Sequence, residues 1–365
     1  MNVIPMCDTL LIKVVQKQIK INMKLGKIAL IALCSATCFL SCNKDDNNDT
    51  TIVVEIRDRD EQQEEDKALL LDYFATHYYN SSEFDALTNP TIDNLKITKL
   101  VEGTTTPADG TLLSESTILD TLEVNFADTN YEYYILRLKK GGGSLSPTFS
   151  DNVAMRYEGT TLSNDIFDSA VNPVNFDLTT LIPGWRKVIP EFNVAEGFVE
   201  NGDGTVSFQN QGIGVMFLPS GLAYFNNAVA GIPAYSPIIF KFGLLQMAQN
   251  DHDNDGIPSY LEDLNGDGEY TLNSSADADA RDGDDTDGNG VPDYFDNDDD
   301  GDGIATINEI ELKTYNRGTK KEIEDLVFEP GEVLIGIKEE GDGTFTGTTS
   351  IDTDKDGIPD YLDAE

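Results

Sequence analysis

Carboxylates at fixed spacing recur through the last third of this chain. The clearest group places Asp298, Asp300 and Asp302 at positions 1, 3 and 5 of a window that has Gly303 at position 6 and Glu309 at position 12. The same frame returns with Asp251, Asp253, Asp255, Gly256 and Glu262, with Asp285, Asp287, Asn289, Gly290 and Asp296, and with Asp352, Asp354, Asp356, Gly357 and Asp363. A weaker copy has Asp263, Asn265, Asp267 and Gly268, with Ser274 at position 12. A hard cation needs several oxygen ligands at once, and one short loop with glycine at its sharpest turn can supply most of them. The frame therefore predicts bound Ca²⁺ with a structural role. A disordered acidic tail would carry the same charge without holding glycine at the sixth position of every copy.

The formal net charge of −41 over 365 residues excludes nucleic acid as a partner, because phosphates would be repelled. From Asp251 to Asp300 there are eighteen acidic residues against one basic residue, Arg281. The only histidines are His77 and His252, so a histidine-based triad or zinc site is not expected. His77 falls at the end of a helical stretch and reads as a capping or surface residue. His252 takes position 2 of a loop, which points away from the loop's own ion. All four cysteines (Cys7, Cys34, Cys38 and Cys42) precede residue 43, so no internal disulfide can staple the rest.

A second set of residues, lacking nucleophiles and metal ligands, lies upstream. Val153-Ala154-Met155-Arg156-Tyr157-Glu158-Gly159 is followed by Ile166-Phe167-Asp168-Ser169 and then by Leu181-Ile182-Pro183-Gly184-Trp185. Leu218-Pro219-Ser220-Gly221-Leu222-Ala223-Tyr224 comes next, and Gly231-Ile232-Pro233-Ala234-Tyr235-Ser236-Pro237-Ile238-Ile239-Phe240 completes the series. In this order the five pieces resemble an FKBP-type peptidyl-prolyl cis–trans isomerase, over roughly residues 131–247. The chemistry fits such residues. Rotation about a peptide bond meets a barrier of about 18–20 kcal/mol, which reflects its C–N double-bond character. Twisting breaks the resonance and drains charge from the carbonyl oxygen, so a dry apolar pocket favours the twisted amide over the planar one.

The resemblance implies that Trp185 floors this pocket and that Tyr157, Phe167, Ile232 and Phe240 wall it. It further implies that Ile182 offers a backbone N–H, Tyr224 a hydroxyl and Asp168 a carboxylate at the rim. No cofactor is expected for catalysis. The chain departs from the family in three places: no cation follows Asp168 within Ser169-Ala170-Val171-Asn172, Val174 stands where an aromatic is usual, and Phe225 stands where glycine is usual. The stretch 196–214, with the tight-turn signal Asn201-Gly202-Asp203-Gly204, reads as a hairpin beside the pocket.

These residues need an α+β frame, an FKBP-like antiparallel sheet wrapped on a short helix and followed by an irregular calcium-stabilised repeat region. Apolar spacing predicts a helix over 61–79, ended by Asn80 and Ser81, and strands over 95–101, 118–126, 131–138, 153–157 and 238–247. The repeats carry Gly-Ile/Val-Pro-x-Tyr-Leu/Phe in three copies. They resemble thrombospondin type 3 and related bacterial calcium repeats more than paired helix–loop–helix units, since proline two residues after the glycine forbids a normal helical continuation. Residues 23–42 carry Lys24 and Lys27, an apolar run and Ser41-Cys42, and resemble a bacterial lipoprotein signal in which Cys42 is lipidated and Met23 is the natural start.

The expected organisation is a signal segment (1–42), a tether (43–60), an N-terminal helical and β arm (61–130), an isomerase domain (131–247) and an acidic calcium region (248–365). The expected function is isomerisation of X–Pro bonds in exported clients. The protein would be held by a lipid at Cys42 on the periplasmic or surface face of a bacterial outer membrane. The alternative is a non-catalytic peptide- or protein-binding module on a calcium-stabilised stalk. The sequence sets no oligomeric state.

Overall fold

The computed structural model describes residues 56–272 and 283–364. The signal segment, Cys42, most of the tether and Ser274 lie outside the described residues. Among those described, no helix is long and apolar enough to cross a membrane. The described residues form one compact unit.

Helix α1 (Arg59–Thr76) comes first. Asp58 caps it by accepting from the Asp60 and Glu61 N–H groups. Gln62, Gln63, Asp66, Leu70, Tyr73 and Phe74 form its buried stripe, at three- and four-residue steps. Leu69 and Leu71 face solvent. The helix stops three residues short of the expected end. His77–Tyr79 extend as β1, which pairs with β2 (Ile97–Lys99) and β3 (Thr111–Leu112) and buries Tyr79. A single turn, α2 (Ser81–Asp85), follows.

The main sheet is antiparallel throughout. It comprises β4 (Leu119–Phe126), β5 (Thr129–Lys139), β6 (Asn152–Thr161), β7 (Ile166–Asp177), β10 (Gly212–Leu218) and β11 (Ile238–Ala248), in the order β4-β5-β10-β11-β6-β7. It begins before the expected boundary at residue 131. Ala127 (φ 50°) and Asp128 (φ 63°) form a two-residue turn that joins β4 to β5. Two positive φ values in such a turn match the right-handed twist of the strands it connects.

Side chains alternate across the sheet and build two cores. Tyr133, Ile135, Met155, Met216 and Phe242 face short helix α3 (Pro183–Val188). Tyr134, Leu136, Leu138, Val215, Phe217 and Ile239 face α1. Strand β10 is central, and all seven of its residues are buried because both faces are covered. Its continuous apolar run has no period of two, so alternation could not reveal it.

Hairpin β8 (Gly197–Glu200) and β9 (Val206–Gln209) forms as expected, but not beside the pocket. Phe198 and Phe208 border a groove with Leu245, Gln246 and Met247 at the far end of β11. Gln246 lies six strand steps beyond Phe240, a span of about 20 Å.

The acidic region is not irregular throughout. Between its last two loops lies a three-stranded antiparallel sheet, β12 (Lys313–Arg317), β13 (Glu332–Glu339) and β14 (Phe345–Ile351), in the order β12-β14-β13. Helix α4 (Lys320–Glu324) is fixed by a capping box between Thr319 and Glu322.

Candidate functional sites

Four elements and one loop converge on Trp185. Strand β6 supplies Tyr157, β7 supplies Phe167 and Asp168, and β11 supplies Phe240. Ile182 is the N-cap of α3, whose Pro183 sits at the first helical position, where a missing N–H costs nothing. Tyr224 and Ile232 come from the loop after β10. Trp185 is only 4% exposed. Its ring lies 4.8 Å from Phe240, 5.9 Å from Tyr157 and 5.9 Å from Phe242. Phe167 meets Phe240 edge-on at 5.4 Å. Tyr157, Phe167, Ile182 and Tyr224 stay half-buried around this floor, with Ile232 buried among them. The seven apolar or aromatic residues expected at the site thus join one cluster.

The eighth, Asp168, is exposed. It accepts from the Tyr157 hydroxyl at 2.7 Å and from the Ser169 N–H at 2.8 Å. Burial, then the Asp168 hydrogen bond, raises the Tyr157 hydroxyl pKa, so it remains a donor at any physiological pH. Burial, with Asp168 nearby, also raises Tyr224. Among the described residues neither the Ile182 N–H nor the Tyr224 hydroxyl has a hydrogen-bond partner. Both groups are half-buried and available to a substrate.

Gly159 fits between two walls. A Cβ there would lie 2.6 Å from both Phe167 Cζ and Phe240 Cε1. Phe176 was missed by sequence reasoning. It packs against Tyr157 at 5.6 Å, two residues beyond Val174 and therefore on the same side of β7. The aromatic absent at 174 is offset by the one at 176.

The arm of α1 supports the pocket loop from the opposite face of the sheet. Asp66 is fully buried and accepts from Ser220 N at 2.7 Å, Ser220 Oγ at 2.6 Å and Gln62 Nε2 at 2.8 Å. Ser220 begins the turn that leads to Tyr224. Phe225, in place of the family's glycine, takes a left-handed φ of 46°, a conformation glycine adopts without steric cost. Its ring is covered by the Arg59 guanidinium at 4.2 Å and by Tyr235 at 5.2 Å, contacts that offset the backbone strain.

His77 is not at the surface. Only 3% exposed, it stacks on Tyr73 at 3.7 Å, its Nδ1 lies 3.0 Å from the Tyr73 carbonyl and its Nε2 lies 3.3 Å from Asn164. Burial lowers its pKa.

The five acidic loops share one backbone frame. In each, the position 6 N–H donates to the position 1 carboxylate: Gly256 to Asp251, Gly268 to Asp263, Gly290 to Asp285, Gly303 to Asp298 and Gly357 to Asp352. All five glycines have φ between 73° and 103°, where a side chain would be strained. The position 5 side chain accepts from position 7 in every loop, as Asp255 does from Ile257. In four loops the position 9 side chain also accepts from the position 2 N–H: Ser259 from His252, Asp293 from Thr286, Thr306 from Asp299 and Asp360 from Thr353. Sequence reasoning missed this latch, although Ser, Thr or Asp at position 9 was its visible signal.

Among the described residues, such carboxylates gather in three groups that could hold a metal. Asp298, Asp300 and Asp302 gather in one group, and Asp352, Asp354 and Asp356 in another. A third combines Asp253, Asp255 and Glu262 with Asp299, a residue the sequence frame does not select. Burial and neighbouring carboxylates push Asp253 up to about 7 and Asp299 up to about 10, and raise Glu262 well above the ordinary range. Burial likewise pushes Glu309, whose Oε2 is buried without a partner, up to about 7. In the second and third loops, Asn265 and Asn289 replace one carboxylate each beside Asp263, Asp267, Asp285 and Asp287, and Asn289 donates to Asp296 at 2.6 Å. Asp363 closes the fifth window, beyond the single helical turn Asp360–Leu362.

This region grips β7 and α3. His252 Nε2 lies 3.0 Å from Asp177 Oδ2. Glu269 pairs with Arg186 and, at 3.1 Å, with Lys187, while Lys187 also donates to the Asp267 and Gly268 carbonyls. Arg186 and Lys187 directly follow Trp185 on α3.

Known proteins resemble parts of this chain. Residues 252–330 match the family model described as BamM C-terminal. The chain is 28% identical over 127 residues to the FKBP-type peptidyl-prolyl cis-trans isomerase FkpA of Escherichia coli (strain K12), covering 34% of this chain and 40% of that protein. FkpA of Buchnera aphidicola subsp. Baizongia pistaciae is 28% identical over 112 residues, covering 30% of this chain and 38% of its own length. The match thus spans about two fifths of these curated relatives. Among solved structures, a peptidyl-prolyl cis-trans isomerase from Pseudomonas syringae pv. tomato str. DC3000 is similar with a TM-score of 0.27 and 23% identity, over 32% of this chain and 76% of that one.

Proposed function

We propose that this chain is an exported peptidyl-prolyl cis–trans isomerase of the FKBP type. The observation that carries the reading is the nearly buried Trp185 indole packed against Tyr157, Phe240 and Phe242, with Phe176 and Phe167 backing Tyr157 and Phe240. Sequence similarity over a third of the chain to proteins named as such isomerases supports it. In this reading the proline ring lies on the indole, and the aromatic walls exclude water from the twisting amide. Withdrawing water disfavours the polar planar amide more than the twisted one, which lowers the barrier. The unpartnered Ile182 N–H holds a substrate carbonyl outside the bond that rotates, and Tyr224 directs its hydroxyl to the same rim. Tyr157, held by Asp168, keeps its ring fixed as a wall. Clients are proline-containing exported polypeptides.

The acidic loops bind Ca²⁺ in this reading, with a structural role. Their fit rests on the buried carboxylate oxygens of Asp253, Asp255, Asp300 and Glu309, which have no partner among the described residues. Bound cations would neutralise charges that otherwise repel and hold the region compact against α3. Lipidation at Cys42 would tether the protein to the outer membrane. The test is the rate of X–Pro isomerisation in a short peptide, with and without Ca²⁺. A wild-type rate equal to the spontaneous one would instead favour the binding-module reading, to which the absence of any cation paired with Asp168 among the described residues lends support.

A further inference from the structure

We propose that Asp299 of the fourth loop joins Asp253, Asp255 and Glu262 of the first loop around one divalent cation. The ion would clamp two loops that are distant in sequence, and Asp299 would be its bridging ligand. The proposal rests on the calcium reading above and goes beyond the one-loop, one-ion frame of the sequence.

One oxygen from each of the four side chains lies within 4.8 Å of the others. Glu262 is 0% exposed and Asp299 1% exposed, and all four of their carboxylate oxygens are without a hydrogen-bond partner. Asp253 Oδ2 and Asp255 Oδ2 are buried and unpartnered as well. Buried carboxylates are ordinarily matched by donors or cations, because removing their hydration costs several kcal/mol each. Among the described residues no lysine or arginine pairs with any of the four. The buried Tyr361 hydroxyl beside them is also unpartnered.

Local geometry explains why Asp299 is turned this way. It stands at position 2 of its loop, where the side chain points away from that loop's own centre. Its backbone N–H donates to Thr306 Oγ1 at 3.2 Å, which fixes the residue. The other loops carry His252, Leu264, Thr286 and Thr353 at this position, so only the fourth can lend a carboxylate outward. The donor set is all oxygen and anionic, and three of its four side chains are buried. That favours Ca²⁺ over Mg²⁺, which retains water ligands, and over Zn²⁺, which prefers nitrogen and sulfur.

The experiment uses the full chain, with Ca²⁺ binding followed by calorimetry and melting recorded in chelator and in Ca²⁺. Asp299→Asn should abolish one binding event or weaken it by at least about tenfold, since affinity follows the number of ligand charges. The same variant should gain less in melting temperature from Ca²⁺ than wild type does. Glu262→Gln should behave alike from the first loop, and serves if Asp299→Asn does not fold. Asp354→Asn should instead affect a separate event and leave this one unchanged. Wild type that binds Ca²⁺ while Asp299→Asn binds it identically would overturn the bridging site and leave the calcium reading standing. Lower melting of Asp299→Asn in both conditions with unchanged binding would reduce Asp299 to a packing residue and likewise overturn the proposal. No binding by wild type would remove both readings.

Discussion

Replacing Asp66 should loosen the pocket loop from the far side of the sheet. This carboxylate accepts three hydrogen bonds, two from Ser220 and one from Gln62, in a fully buried position. Asp66→Ala strands three donors, and each buried donor without a partner costs about 1–3 kcal/mol. Two effects reduce that sum. The Ser220 hydroxyl and the Gln62 amide can rotate toward other acceptors, and the variant no longer desolvates a carboxylate whose pKa is raised by burial. The Ser220 N–H cannot rotate away. The net expectation is a loss of about 2–4 kcal/mol, with Asp66→Asn losing about half as much because an amide oxygen still accepts. Urea unfolding followed by the fluorescence of Trp185, the chain's single tryptophan, measures this directly. The midpoint should fall while the slope stays constant. A cycle with Ser220→Ala should show coupling of at least about 1 kcal/mol, since the two residues are in contact. A loss below about 1 kcal/mol, additive with that of Ser220→Ala, would refute the view that α1 braces the Tyr224 loop.

Three other outcomes are expected. Gly159→Ala should cost about 1–3 kcal/mol by overpacking and depress prolyl turnover, because its Cβ meets Phe167 and Phe240; unchanged melting and turnover would show that the aromatic walls are not close-packed. His77 is kept neutral by burial, with a folded pKa below its unfolded value near 6.5, so the stability it contributes is present above that value and is lost as pH falls toward the folded pKa. Wild type should therefore lose more stability than His77→Gln between pH 7.5 and 5.5, and parallel losses would contradict the burial argument. Glu269→Gln weakens the ion pairs to Arg186 and Lys187 and should cost about 1–3 kcal/mol; it should also shift the Trp185 emission, and an unaltered spectrum would show that the acidic region does not reach α3.

The aromatic cluster around Trp185 was legible because its residue types stand at separated but ordered positions. Tyr157, Trp185 and Phe240 could be named before any strand was placed. What escaped was what long-range packing decides. Strand β10 was hidden by having no polar face; α1 was foreseen as a helix, but nothing local showed where Asp66 or Arg59 would end. Phe176 required knowing that β7 continues past Pro173, across a bulge in its pairing with β6. In the acidic region the glycine-anchored frame was plain from spacing. Asp299 was not, because its partners belong to another loop and only the fold brings them together.

The most direct test of the pocket account is the cis-to-trans rate of an X–Pro peptide, which takes tens of seconds or longer uncatalysed. Wild type should accelerate it well beyond that rate. Tyr157→Ala and Phe240→Ala, still folded by circular dichroism, should return it to the spontaneous value. Wild-type protein that leaves the rate unchanged would contradict the account.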